Sequence, residues 1–163
     1  MKKTILDVCC GSRMFWFDKS DERVIFLDKR SEKHVLNDKS QKNGTRDLII
    51  RPDIMSDFSS LPFQDSSFQV VVFDPPHFEK NGETGWLNKK YGTLKGEWRE
   101  MLRNGFSECF RVLKPYGVLI FKWCEVEIPV SQILKLTPIL PMVGHKSGKN
   151  SMTHWVSFMK GSE

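Results

Sequence analysis

The sequence contains no C-x-x-C pair, which excludes the paired-thiol frame of a zinc ribbon, and no metal site is expected. It has four cysteines, Cys9, Cys10, Cys109 and Cys124. Cys9 and Cys10 lie side by side in an apolar run, and the set reads as reduced thiols of a cytoplasmic protein. No apolar run reaches the ~18 residues that a membrane span requires. Asp7 interrupts the apolar start at once, so no signal-peptide core and no membrane association are expected. Repeats, linkers and composition shifts are also lacking, and residues 1–163 are expected to form a single domain. Glycine is scarce where a dinucleotide would need it. The first turn has Gly11 alone, where G-x-G-x-x-G requires three glycines, and no P-loop pattern occurs.

What is present is an ordered, mildly basic chain. Hydrophobic residues make up 39% and charged residues 28%, which supports a packed core rather than disorder. The net charge of +5 is compatible with a polyanionic partner, although many domains without one are as basic.

The apolar pattern is that of buried strands separated by crossovers. Ile5-Leu6-Asp7-Val8-Cys9 reads as a first strand that ends in a turn at Gly11-Ser12. Residues 12–17 read as one brief helix. Val24-Ile25-Phe26-Leu27 reads as a second strand, ended by Asp28. Residues 31–42 suggest a weak helix or loop. Leu48-Ile49-Ile50 with Ile54 suggests an irregular third strand that Pro52 keeps from a central place. Val70-Val71-Val72-Phe73 is the strongest strand, and residues 78–96 read as a long loop. Trp98, Met101, Leu102, Phe106, Cys109, Phe110 and Leu113 recur at helical spacing and predict a helix over 97–113. A fifth strand follows at Val118-Leu119-Ile120-Phe121, then a terminal hairpin. The expected fold class is α/β, a mostly parallel Rossmann-like sheet with an antiparallel C-terminal hairpin.

In open parallel sheets, ligands sit beyond the carboxyl ends of the strands. That rule gathers Cys9-Cys10-Gly11, Asp28, Asp57-Phe58 and Asp74-Pro75-Pro76-His77 into one cleft. An acid at Asp28, some twenty residues past the first turn, is suited to ribose hydroxyls, although an ordinary strand-ending Asp fits the same pattern. A nucleoside cofactor without phosphates tolerates the glycine-poor turn better than a dinucleotide does. Asp74-Pro75-Pro76-His77 is the most specific signal. Two prolines stiffen the chain and remove two donors, so the Asp74 carboxylate and the Pro75 carbonyl can both grip an amino group and aim its lone pair.

These residues resemble the class I S-adenosylmethionine-dependent methyltransferases, and within them the amino-methyltransferases marked by (D/N/S)-P-P-(aromatic). Residues 5–13 resemble the family's first motif, L-D-x-G-x-G-x-G, with Cys9 and Arg13 in place of the outer glycines. Val24 to Asp28 is similar to the second strand with its ribose acid. Residues 56–68 resemble G-D-A-x-x-L-P-F-x-D-x-S-F, and Phe110 to Leu119 resembles the R-V-L-K-P-G-G-x-L link. The resemblance implies S-adenosyl-L-methionine as cofactor, held by Asp7, Cys9, Gly11, Asp28, Asp57 and Phe58. It implies catalytic roles for Asp74, Pro75, Pro76 and His77, with His77 as the stacking ring. Phe78 is an alternative stacker, and Trp123 is a candidate wall of the target pocket.

The resemblance also implies methylation of an exocyclic amine of a nucleic-acid base, adenine first, in DNA or RNA. The basic residues Lys89, Lys90, Lys95 and Arg99, with Tyr91 and Trp98 between them, are a candidate grip on that nucleic acid. The chain leaves no room for a separate recognition domain, so a homodimer or a partner subunit is a further expectation. Two alternatives stay open. One is a catalytically silent module that supports a partner; the other is a methyltransferase for a protein amide or a small amine.

Overall fold

The computed structural model describes residues 3–79, 89–90, 92–146 and 152–162. In chain order the elements are β1 (Ile5–Asp7), β2 (Val24–Asp28), β3 (Glu32–Asn37), β4 (Thr45–Ile50), β5 (Ile54–Met55) and β6 (Phe68–Phe73). There follow α1 (Trp98–Val112), β7 (Leu113–Cys124), α2 (Val130–Ile133), a 3₁₀ turn, β8 (Val143–Lys146) and β9 (Thr153–Met159).

The runs of Val, Ile, Leu and Phe form the inner strands because both of their faces are covered. Seven strands make one sheet in the order β5-β2-β1-β6-β7-β9-β8. β1 pairs in parallel with β2 and with β6, and β6 in parallel with β7. β9 runs antiparallel to both β7 and β8, as the terminal hairpin pattern predicts. The chain builds outward from β1 to β2 and β5, then crosses to β6 on the other side of β1. The order therefore reverses between β1 and β6, and the carboxyl ends of these two strands frame a crevice.

The helix α1 covers one face of the sheet. Leu102, Phe106, Cys109 and Phe110 are buried on it, at the spacing read from the sequence. Phe106 meets Phe73 edge-on at 5.4 Å and Phe121 at 5.0 Å. Arg111, at the end of α1, donates to the Leu61 and Phe63 carbonyls and to Asp65, while Glu108 accepts from Leu61 N at 2.7 Å. The stretch resembling L-P-F-x-D is thus tied directly to the one resembling R-V-L-K-P.

Three sequence expectations need correction. Residues 12–17 form turns rather than a helix, because Gly11 and Arg13 take left-handed φ values of 48° and 55°. Phe15 and Trp16 lie instead against Trp155 and Phe26, at 5.5 and 5.2 Å. Residues 32–37 are a strand paired with β4 in a separate hairpin, with Leu36, Leu48 and Ile50 buried. The Leu48-Ile49-Ile50 run therefore belongs to that hairpin. Only Ile54–Met55 reaches the main sheet, at its edge, just beyond Pro52. Of the long loop over 78–96, residues 80–88 and Tyr91 lie outside the described residues; the returning part hydrogen-bonds Leu94 N to Phe78 O at 2.8 Å.

All four cysteines are free. Among the described residues, no helix is long and apolar enough to cross a membrane.

Gly105 of α1 lies tight against two aromatic rings. A Cβ there would stand 2.7 Å from a Phe58 ring carbon and 2.8 Å from one of Phe73. Gly105→Ala gains up to ~1 kcal/mol of helix propensity. Overpacking of two rigid buried rings costs ~1–3 kcal/mol and outweighs it. Thermal denaturation should show a Tm lowered by several degrees; a raised Tm would contradict this packing.

Candidate active site

The crevice at the β1/β6 switch is a cleft of about 720 Å³. Cys9, Gly11, Asp28, Phe58, Asp74, Pro75, Pro76, His77 and Phe78 all line it, so most of the residues singled out in the sequence converge. A volume in the range of roughly 300–1,000 Å³ is that of a pocket for a small molecule or cofactor.

The turn after β1 is built around two carboxylates. Asp28 Oδ2 accepts from Gly11 N at 2.9 Å, and Asp28 Oδ1 accepts from Arg30 N at 2.9 Å and Arg30 Nε at 3.2 Å. The strand-two acid is therefore fixed at the lip of the cleft and linked to the glycine turn. The Arg13 backbone sits where the resembled motif has its last glycine and keeps that left-handed conformation. Its side chain offsets the strain. It donates to the carbonyls of Lys19 (2.6 Å) and Arg51 (2.8 Å) and to Asp53 (3.1 Å), and its guanidinium lies 3.8 Å from the centre of the Phe26 ring.

Asp7 lies beneath this turn and is not among the lining residues described. It is fully buried and accepts from Cys9 N at 3.2 Å and from Trp16 Nε1 at 2.7 Å. It shapes the turn, and its place is behind the cleft surface rather than on it. Burial is the main reason its pKa is pushed up to about 7; the bonds from Trp16 and Cys9 oppose that rise, and the neighbouring Asp74 and Asp28 add to it. Burial likewise raises the Cys9 thiol well above its ordinary range, so Cys9 lines the cleft as a neutral thiol.

The other half of the cleft is set by β6 and β7. Phe73 pairs with Phe121, so Asp74, just past the end of β6, stands beside Lys122 of β7. Lys122 Nζ donates to Asp74 Oδ2 at 2.6 Å, in an ion pair whose side chains are 18% and 13% exposed. The second oxygen, Asp74 Oδ1, is buried and has no hydrogen-bond partner among the described residues; the same holds for Thr93 Oγ1, whose residue also lines the cleft. Unsatisfied buried acceptors are costly, and their concentration in one cleft points to a ligand that supplies donors.

His77 is 4% exposed, packs against Phe78 at 4.4 Å and Trp123 at 6.0 Å, and its Nδ1 is 3.4 Å from the Pro75 carbonyl. Burial pushes its pKa below the ordinary value, which favours the neutral ring. Gly92 returns over Pro76, with its Cβ position 3.1 Å from the Pro76 ring, and so closes that side.

Two sequence expectations move. Trp123 does not wall the pocket. It is fully buried in the core, donates Nε1 to the Ile128 carbonyl at 2.8 Å and braces His77 from behind. Asp57 stands beside the lining residues Ser56 and Phe58; its Oδ1 accepts from Ser59 N and Oγ, and its Oδ2 is 4.0 Å from Lys29. Of the basic-aromatic cluster, Lys90 and Lys95 line the cleft, Trp98 is 5% exposed and belongs to the core, and Tyr91 lies outside the described residues.

Sequence reasoning missed Lys122. The signal was there: a lone cation at the outward phase of the apolar alternation Leu119, Phe121, Trp123, on the strand beside Asp74.

No protein-family model matches the chain, and no curated protein matches it in sequence. Solved structures do. A TehB-like S-adenosylmethionine-dependent methyltransferase from Corynebacterium glutamicum aligns with a TM-score of 0.59 at 14% identity, over 97% of this chain and 80% of its own. An S-adenosylmethionine-dependent methyltransferase from Methanosarcina mazei aligns with a TM-score of 0.54 at 12% identity, over 100% and 95%. The fold is the Rossmann-like fold of these methyltransferases. A third neighbour, the 1,6-didemethyltoxoflavin-N1-methyltransferase of Burkholderia thailandensis, has a TM-score of 0.54 at 10% identity, over 97% and 71%, and was solved with its substrate and S-adenosylhomocysteine. At these identities the likeness establishes architecture, and the chemistry has to be argued from the cleft.

The buried Asp7 predicts a pH dependence. The folded state holds its proton up to a pH of about 7, whereas an unfolded chain releases it near pH 4. Its contribution to stability is therefore full below pH ~4, falls as pH rises to ~7, and is flat above. Asp7→Asn removes that slope. Denaturant melts of the two proteins between pH 4 and 8 should diverge in favour of the variant by on the order of a few kcal/mol; a pH-independent difference would contradict the assignment.

Proposed function

We propose that this protein transfers a methyl group from S-adenosylmethionine to an exocyclic amine of a nucleic-acid base, with adenine, in DNA or RNA, as the base the motif resemblance favours. The observation that carries the reading is Asp74, whose one oxygen is fixed by Lys122 while the other is buried and has no hydrogen-bond partner among the described residues, in the cleft that also holds Asp28.

The residues fit the cofactor. Asp28 offers its remaining acceptor capacity to ribose hydroxyls, Phe58 offers a ring edge for adenine, and the glycine turn leaves space beside Gly11, where a Cβ would meet nothing within 4 Å. When bound, the cofactor supplies an electrophilic methyl carbon attached to a sulfonium.

The remaining work falls to the chain's own groups. Asp74 Oδ1 accepts one N–H of the target amine, which orients the nitrogen lone pair and stabilises the positive charge that develops on it. Lys122 prevents the carboxylate from rotating away. It also offsets part of the carboxylate's charge, so Asp74 acts more as an oriented hydrogen-bond acceptor than as a bare anion. The neutral His77 ring and Phe78 offer apolar faces to a planar base. A base inside a duplex would have to be unstacked to reach this depth, so unpaired or flipped nucleotides are the expected substrates.

A small heterocyclic amine is the second reading. The toxoflavin-precursor methyltransferase that shares this fold supports it, since the molecule bound to it is a small ring system and its name gives methylation at nitrogen N1.

Calorimetry with S-adenosylmethionine, together with transfer of labelled methyl groups to DNA, RNA and small amines, tests the proposal. Asp74→Ala should lower transfer by ~10²-fold or more with cofactor affinity nearly intact. Asp28→Ala should weaken cofactor binding itself by about tenfold or more, the worth of one charge-assisted hydrogen bond. Full activity in Asp74→Ala would refute the catalytic assignment. No cofactor binding by the wild-type chain would shift the reading to a silent module.

A further inference from the structure

A second cavity, of about 650 Å³, borders the cofactor cleft and shares Gly11, Ser12, Met14 and Lys90 with it. It exists because of an unusual connection. The parallel crossover from β2 to β5, which in such sheets is normally helical, carries the β3–β4 hairpin instead. The hairpin places Leu36 and Leu48 under the cavity, with Ile49 and Pro52 also on its lining. Arg46 pairs with Leu36 across the hairpin, and so stands beside this apolar floor.

The charge balance of the cavity is one-sided. Its acids are Asp47 and Asp53. Asp53 is paired with Arg13 at 3.1 Å and Lys3 at 3.6 Å, and Asp47 with Lys33 at 3.3 Å. Lys19, Arg46 and Arg51 remain on the lining beyond those pairs. Arg46 meets Asp38, which lies outside the lining, at 2.9 Å and is still 47% exposed. The side chains of Lys19 and Arg51 are exposed and enter no ion pair among the described residues. A sulfonium nucleoside brings a single carboxylate and no phosphate, and its proposed place is the neighbouring cleft. The cofactor therefore leaves these cations unexplained.

An apolar floor beneath a rim of arginine and lysine is the chemistry of a base with its phosphates. We propose that this cavity is a substrate subsite for the nucleic acid: it holds a nucleotide flanking the target, with Lys19, Arg46 and Arg51 on the phosphodiester backbone. This rests on the nucleic-acid reading above and adds to it the surface that grips the strand.

The test is fluorescence anisotropy with labelled 20-nucleotide single-stranded RNA and DNA, over a series of salt concentrations, on the full chain. It compares wild type with a Lys19→Glu, Arg46→Glu, Arg51→Glu triple variant and with the corresponding triple Gln variant, which keeps the surface polar should charge reversal disturb folding. Each lost phosphate contact removes roughly 0.7–0.9 from the log–log salt slope. The Gln variant should bind ~10-fold more weakly with a slope shallower by about 2, and the Glu variant more weakly still; both should keep wild-type affinity for S-adenosylmethionine. If wild type binds nucleic acid and the Gln variant binds it equally well, the subsite is wrong while the nucleic-acid reading stands. If wild type binds the cofactor and neither nucleic acid, the nucleic-acid reading itself fails, and the subsite with it.

Discussion

Asp74 and Lys122 stand one step beyond the Phe73–Phe121 pair of β6 and β7, and the 2.6 Å contact between them sets what the cleft can do. A carboxylate at a strand end would normally turn toward water or toward the nearest backbone donor. Here one oxygen is held by an ammonium anchored on the neighbouring strand, so the other has a fixed direction. Rigidity comes from below: Phe73, Phe106 and Phe121 pack as one aromatic cluster under α1, and Trp123 stiffens His77 from behind. Burial of the pair is costly for both charges, and the remaining buried acceptor raises that cost further. Functional sites are where such costs are retained.

The half of the cleft proposed for the cofactor uses a different device. Asp28 reaches back to Gly11, and Asp7 supports the same turn from underneath through Cys9 and Trp16. A glycine-poor turn is stabilised here by side chains, where the resembled motif relies on backbone freedom. Arg13 shows this most clearly: it keeps a left-handed backbone through three hydrogen bonds and the face of Phe26.

Much of the architecture was legible in the sequence because burial on both faces leaves unbroken apolar runs, as in β2 and β6, and because α1 has a clear apolar stripe. The motif resemblance carried further than its glycines. Arg13 and Tyr116, which replace glycines of the resembled motifs, both sit at positive φ, at 55° and 60°. The hairpin over 32–50 was not legible. Its outer face carries Lys33, Val35, Asp47 and Ile49, and the mixture obscures the strand alternation. The turn over 12–17 was misread because Met14, Phe15, Trp16 and Phe17 form an apolar run with no polar spacing, although only Phe15 and Trp16 pack against other rings while Met14 and Phe17 are exposed. In the site, the carboxylates and prolines were readable as strand-end residues. Lys122 was overlooked because a single lysine in a strand gains its meaning only from the strand beside it. Trp123 was placed in the pocket because strand phase cannot be assigned until register is known: one residue separates the cleft side from the core side.

The central claim is that Asp74 presents an acceptor to an amino group of a base. Its most direct test is to incubate the protein with methyl-labelled S-adenosylmethionine and mixed DNA and RNA, digest the nucleic acid to nucleosides, and identify the atom that carries the label. The account predicts label on an exocyclic base nitrogen, with adenine the main acceptor. Label on a ring carbon, on a ribose oxygen, or on no nucleoside while a small amine is methylated would contradict it.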